Sequence, residues 1–289
     1  MSGIDRPQDG TTPASLPFGR GTVSRQIGRE PLTLAFAGPR ALLLQVAHPL
    51  VAAGVDQHSN YREDPFRRAW RTLDWLFKVQ FSDPETVARQ NASLRAVHSR
   101  VRGISADGLA YRASDPELLV WVWATLVDST VVAHERLIGA LGAGRRSRYY
   151  EEQKLVAYAS GVPRGACPPD WDDFRRYVDA TVAGKLRVTD VTRQAAAGAA
   201  PFFRPPLSGL LAPVDGFLAA ALLPSALRAD LGLEWGPRQR AALRAVRSAA
   251  RFGTQVVPPG LRHAPADYLA HRSRPISIRP PHLLMRAPA

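Results

Sequence analysis

A chain of 289 residues is long enough for one large domain with a sizeable buried core, and its 45% apolar content is ordinary for a globular protein. Its formal charge of +13 is not ordinary, and it comes almost wholly from arginine, since lysine stands only at Lys78, Lys154 and Lys185. The one cysteine, Cys167, excludes a disulfide framework and a CxxC zinc site.

A basic chain can bind the phosphates of nucleic acid or anionic lipid. No run of five or six like charges occurs here, however, and the densest spots, GRRSR at 144–148 and FRRY at 174–177, lack interleaved aromatics. We read the charge as spread thin by arginine used in place of lysine, and expect no nucleic-acid partner. A haem iron held through histidine and a non-haem His/carboxylate site both stay open.

In chain order, residues 1–20 are polar, without the apolar stretch of a signal peptide, and are expected to form a disordered tail on a cytoplasmic protein. The domain is expected over 21–273. Its first helix is placed at about 39–53, where Ala41, Leu44, His48, Ala52 and Val55 share a face, so His48 points inward. Pro49 cannot donate to the carbonyl of residue 45, so a kink is expected there. A kink beside an inward histidine makes room for a ligand or simply turns the chain. His58, in the polar DQHSNYRED, is placed in a loop and has no assigned role.

The next helix, about 65–80, starts at Asp64-Pro65. Phe66, Trp70, Leu73 and Phe77 form one apolar face, and the opposite face mixes Arg68, Arg71 and Thr72 with Trp75 and Val79. Such a face is either partly exposed, with arginine stacked on Trp75, or a pocket wall where the guanidiniums meet an anion. The tetrapeptide SDPE occurs at Ser82–Glu85 and again at Ser114–Glu117, each with a capping serine, a proline in the first turn and a glutamate three residues after the serine. These start helices at about 84–102 and 116–140. In the first, Val87, Asn91, Leu94, His98 and Val101 lie along one line, which turns His98 toward the core, as a packed histidine or as an iron ligand. Further helices are expected at about 146–160, 170–183, 187–197, 209–227 and 237–252. The segment 209–227 is the most apolar, but Pro213, Asp215 and Pro224 break it. No transmembrane segment is expected, and a weak membrane-surface contact at 209–227 is the lesser reading. A Pro-rich tail is expected over 274–289. The sum is an all-α protein with one globular multi-helix domain.

Several of these stretches follow one another in order: GPRALLLQVAHPLVAAGVDQHS, RRAWRT, VHSRVRG, GLAYRASDPELLVWVWATLVDS, YYEEQKLVAYASGVP and PPGLRHAPADYLAHR. Together they resemble the oxygenase family of the mpaB-type oxygenases and the rubber oxygenase called latex clearing protein, over about residues 30–272. The resemblance implies a globin-like helical core that binds haem b. It implies His98 as the proximal iron ligand. It matches the distal R-x-x-K-T motif of the rubber oxygenases to Arg68, Arg71 and Thr72, with His48, Trp75 and Trp123 beside the cofactor. Two departures stand out. Arg71 replaces a lysine, and arginine stays protonated and cannot ligate iron, though it can hydrogen-bond dioxygen or a haem propionate. Trp123 replaces the histidine of the family's WVHATL.

The function these residues imply is a haem-dependent oxygenase that oxidises an apolar, unsaturated or isoprenoid substrate with dioxygen. The competing reading is a non-catalytic helical protein that holds a lipid or apolar metabolite and has lost the cofactor, which the tryptophan at 123 favours. A DNA-binding regulator rests on charge alone.

Overall fold

A computed structural model describes residues 18–19, 21–59, 65–197, 217 and 220–271, with side chains except at 65–71, 73 and 269–271. The described residues form twelve helices and one short hairpin. The helices are α1 (Val23–Ile27), α2 (Pro31–Val46), α3 (Pro49–His58), α4 (Pro65–Phe81), α5 (Pro84–His98), α6 (Pro116–Leu137), α7 (Ala143–Ser160), α8 (Trp171–Gly184), α9 (Asp190–Ala197), α10 (Ser225–Asp230), α11 (Pro237–Val256) and α12 (Pro259–His271). The strands β1 (Arg102–Ile104) and β2 (Ala110–Arg112) lie between α5 and α6 and pair antiparallel. The all-α, one-domain expectation holds. The expected tails lie outside the described residues apart from Phe18 and Gly19, as does most of the expected helix 209–227.

Proline sets most helix starts. Seven of the twelve begin on one, where a residue without an N–H leaves no donor unsatisfied. In both SDPE segments this moves the cap one residue past the expected serine. Asp83 caps α5, accepting from the Thr86 N–H at 2.9 Å and the Thr86 hydroxyl at 2.8 Å. Asp115 stands at the start of α6, but its carboxylate accepts instead from the Arg112 N–H at 2.8 Å, tying the hairpin to the helix.

Two expected helices end differently. The helix expected at 39–53 begins eight residues earlier, at Pro31, and tolerates Pro39 within it. The kink expected at Pro49 is a full break. The helix stops at Val46 and restarts as α3, bent by 97°. The break is held from outside, since the Arg187 N–H donates to the Ala47 carbonyl at 2.8 Å and the Thr192 hydroxyl to the Val46 carbonyl at 2.9 Å. The helix expected to reach 102 stops at His98, and residues 102–112 form the hairpin. Buried Tyr111 anchors it, donating to Gln57 Oε1 at 2.7 Å, while Gln57 Nε2 donates to the Ile104 carbonyl at 2.9 Å. A Cβ at Gly103 would lie 2.4 Å from Gln57 Oε1 and 2.8 Å from the Tyr111 hydroxyl, so glycine is what lets the strand close on this pair. Helices α1 and α12 were not expected.

The centre of the fold is α6 against α2. By length and mean hydropathy α6 could cross a membrane, yet 61% of its apolar window is buried inside the protein, which is the signature of a core helix. One side of α6 packs Trp121 against Leu43, Leu44 and Val46 of α2. The other packs Trp123 and Val127 with Tyr150 of α7 and Phe174 of α8. A third cluster joins Phe77, Val79 and Phe81 of α4 to Val87 of α5 and Val156 of α7. Across the α2–α6 seam runs a buried charge network. Arg40 lies 2.6 Å from Asp128 and donates to the Ser129 hydroxyl at 2.7 Å and the Leu222 carbonyl at 2.8 Å. Arg175 of α8 closes on the other oxygen of Asp128, which has no exposed surface.

Candidate functional site

His48 occupies the α2–α3 break as the N-cap residue of α3 and is 5% exposed. Its ring lies 6.3 Å from the Trp121 indole, which is itself fixed by donation to the Leu44 carbonyl at 3.2 Å. The His48 Nδ1 atom is buried without a hydrogen-bond partner. Burial lowers its pKa, partly offset by Glu117 and reinforced by Lys185, so the imidazole is neutral at pH 7 and keeps a free lone pair.

Helix α4 starts at Pro65 as expected, but the side chains of Arg68 and Arg71 lie outside the described residues. Thr72 is exposed. Beyond it the two-faced pattern gives way to burial all round. Phe77 and Val79, expected on opposite faces, are both buried, and Trp75 is half-buried with its indole nitrogen unpartnered. The buried set also holds Asp74 and Lys78, one turn apart and paired at 2.6 Å, with Asp74 Oδ1 left without a partner.

His98 ends α5, half-buried, and burial lowers its pKa. It shares its face with buried Val87 and Asn91, and Asn91 Oδ1 is another buried atom without a partner. Trp123 is 5% exposed and points inward. Its indole donates to the Gln153 carbonyl at 3.0 Å and sits 5.7 Å from the rings of both Tyr150 and Phe174.

These residues are not gathered in one described cavity. Trp121 and Trp123 are two apart on α6, which puts their side chains on nearly opposite faces, so α6 stands between His48 and Trp123. Trp123 is instead tied to α4, because Gln153 Nε2 donates to Gln80 Oε1 at 3.1 Å. Among the described residues no hydrogen bond joins the His98 ring to His48, Trp75 or Trp123. An open depression of about 420 Å³ beside the hairpin is lined by residues such as Arg102, Tyr111 and Asp115 and by none of the expected site residues.

Sequence reasoning missed His134. It is 8% exposed on α6, its Nδ1 has no partner, and burial draws its pKa down to about 4. Its position was readable, since Val127, Val131 and His134 follow the spacing of one helical face. Asp74 and Lys78 were also readable, as opposite charges four apart inside the apolar run LDWLFKVQF. Arg40 and Asp128 carry no such signal, because their pairing joins helices 88 residues apart by number.

No group of three or more His, Cys, Asp or Glu among the described residues is arranged to hold a metal ion by itself. A haem iron needs only one or two neutral imidazoles, and His48, His98 and His134 meet that requirement. The unpartnered ring nitrogens of His48 and His134, and the open oxygens of Asp74 and Asn91, are unusual for a core, where such atoms are paired.

The fold and these groups define a helical, single-domain protein with neutral histidines and unpaired polar atoms in its interior. The chain belongs to the family described as ER-bound oxygenase mpaB/B'/Rubber oxygenase, catalytic domain, which matches residues 24–252. It is similar to uncharacterized proteins of Mycobacterium bovis and Mycobacterium tuberculosis, each 28% identical over 223 residues, covering 75% of this chain and 87% of the relative. No solved structure matches it. The family makes the chain an oxygenase domain, an enzyme acting on a small molecule and oxygen.

Proposed function

We propose that this oxygenase depends on haem b and oxidises an apolar, unsaturated substrate with dioxygen. The observation that carries the reading is His98, a half-buried imidazole kept neutral by burial on the inward face of α5, at the position the family resemblance gives to the proximal ligand. Bound haem would supply the iron at which dioxygen is activated. The chain's own residues hold and shape the site. The family resemblance gives Arg68, Arg71 and Thr72, on α4, the role of donors to a developing oxyanion or to haem carboxylates. Arg71 remains protonated and cannot close the iron as a lysine could. The resemblance also sets His48 and Trp75 beside the cofactor, where they would offer a neutral imidazole and an indole.

The enclosure of Trp123 by Tyr150 and Phe174 supports a second reading. The family's histidine is replaced here by a packed core residue, which suits a binding protein without iron. Oxygen uptake separates the two. Haem-loaded protein given an unsaturated isoprenoid such as squalene should consume dioxygen. A folded protein that takes up no haem and consumes no dioxygen over a panel of unsaturated hydrocarbons would support the second reading. His98→Ala should lower haem content, measured as pyridine haemochrome, far more than His48→Ala, with both variants folded by circular dichroism. Equal occupancy in wild type and His98→Ala would remove His98 as the ligand.

A further inference from the structure

Helix α11 is twenty residues long, yet only Ala250 is fully buried. It holds Arg238, Arg240, Arg244, Arg247 and Arg251 and no acid, and none of the five makes an ion pair among the described residues. The helical period sorts its side chains into three stripes. Leu243, Val246 and Ala250 face the protein, with Leu243 and Val246 packed near Phe36 and Leu137. Arg240, Arg244 and Arg247 form an exposed line beside them. The third stripe is Ala241, Ala245, Phe252 and Val256, apolar and exposed, with Phe252 66% and Val256 60% open to solvent. The next helix continues this character. Leu261 and Tyr268, two turns apart on α12, are 70% and 67% exposed. The charge is correspondingly uneven, because residues 237–289 hold ten of the 38 basic residues and one of the 25 acids. That acid, Asp267, is already engaged by Arg25 and Arg29.

We propose that α11 and the start of α12 dock the protein on an anionic membrane surface, with Phe252, Val256 and Leu261 entering the headgroup boundary and Arg240, Arg244 and Arg247 meeting lipid phosphates. A row of arginines beside a row of exposed apolar residues on one helix is what a lipid interface rewards. A nucleic acid would use the arginines and leave Phe252 and Val256 in water. A protein partner would have to bring its own acids to a helix that offers no mixed charge. The site differs from 209–227, where the sequence suggested a surface contact, and it does not rest on haem.

Co-sedimentation of the full chain with vesicles tests it. The protein should bind vesicles of phosphatidylglycerol and phosphatidylcholine mixed 3:7, bind pure phosphatidylcholine far less, and release as salt rises. At roughly fivefold per arginine, the triple variant Arg240→Gln, Arg244→Gln, Arg247→Gln should bind about a hundredfold more weakly. Phe252→Ser with Val256→Ser should lose about tenfold. All these positions are exposed, so circular dichroism and melting should not change. Absence of binding to the mixed vesicles overturns the proposal, and so does binding that is indifferent to Phe252 and Val256. Retention on DNA without retention on vesicles would make the stripe a polyanion site. A dimer, seen by light scattering and lost in Phe252→Ser, without vesicle binding, would make it an interface between two copies.

Discussion

His134 is neutral in the fold because burial penalises its charged form, with a pKa near 4 against 6.5 in an unfolded chain. Between those values the unfolded chain binds more protons, so stability falls as the pH drops from 6.5 toward 4 and levels off below. The full shift corresponds to roughly 3 kcal/mol. His48 and His98, also lowered by burial, act in the same direction. Urea unfolding at pH 7 and pH 4.5 should show this loss in wild type and a smaller one in His134→Leu. An identical loss in the variant would assign the acid sensitivity elsewhere. At Trp123, Trp123→His exchanges a large ring among Tyr150 and Phe174 for a smaller polar one and should cost about 2–4 kcal/mol. If the position serves only packing, the melting temperature falls while carbon monoxide affinity of the haem-loaded protein stays the same. A changed affinity would show that the side chain reaches the ligand.

At the scale of elements, the α2–α6 seam depends on Arg40 and Asp128. Arg40→Met leaves a fully buried carboxylate with Arg175 as its remaining partner and should cost about 3–5 kcal/mol. Removing both charges, Arg40→Met with Asp128→Leu, should recover much of that, since a well-packed apolar pair needs no desolvation. Denaturant unfolding of the single and double variants measures the difference, and equal losses would mean the charges do not act as a pair. Helix starts were legible because proline at the first helical position is a local signal, as at Pro65, Pro84, Pro116 and Pro237. His48 is buried as expected, but not for the expected reason: the spacing of Ala41, Leu44 and Ala52 assumed one helix through it, and Ala52 lies on α3, beyond the break. The hairpin was not legible. Strands of three residues give too short an alternation to read, and what holds them is Tyr111 reaching Gln57, 54 residues away by number. The separation of His48 from Trp123 was equally hidden, because it depends on which helices flank α6, and no periodicity within one helix reports that.

At the scale of the molecule, the charge read as evenly spread is concentrated toward the end of the chain, on a helix the core barely covers. The other distinctive feature is two buried imidazoles, His48 and His134, and a half-buried one, His98, all with pKa values lowered by burial, in an oxygenase-family fold. The absorbance spectrum of the protein titrated with hemin tests the central claim most directly. The account predicts a Soret band that saturates at one haem per chain in wild type and is lost in folded His98→Ala. A wild-type protein that stays colourless after titration, or takes up haem no better than a surface-binding control protein, would contradict it.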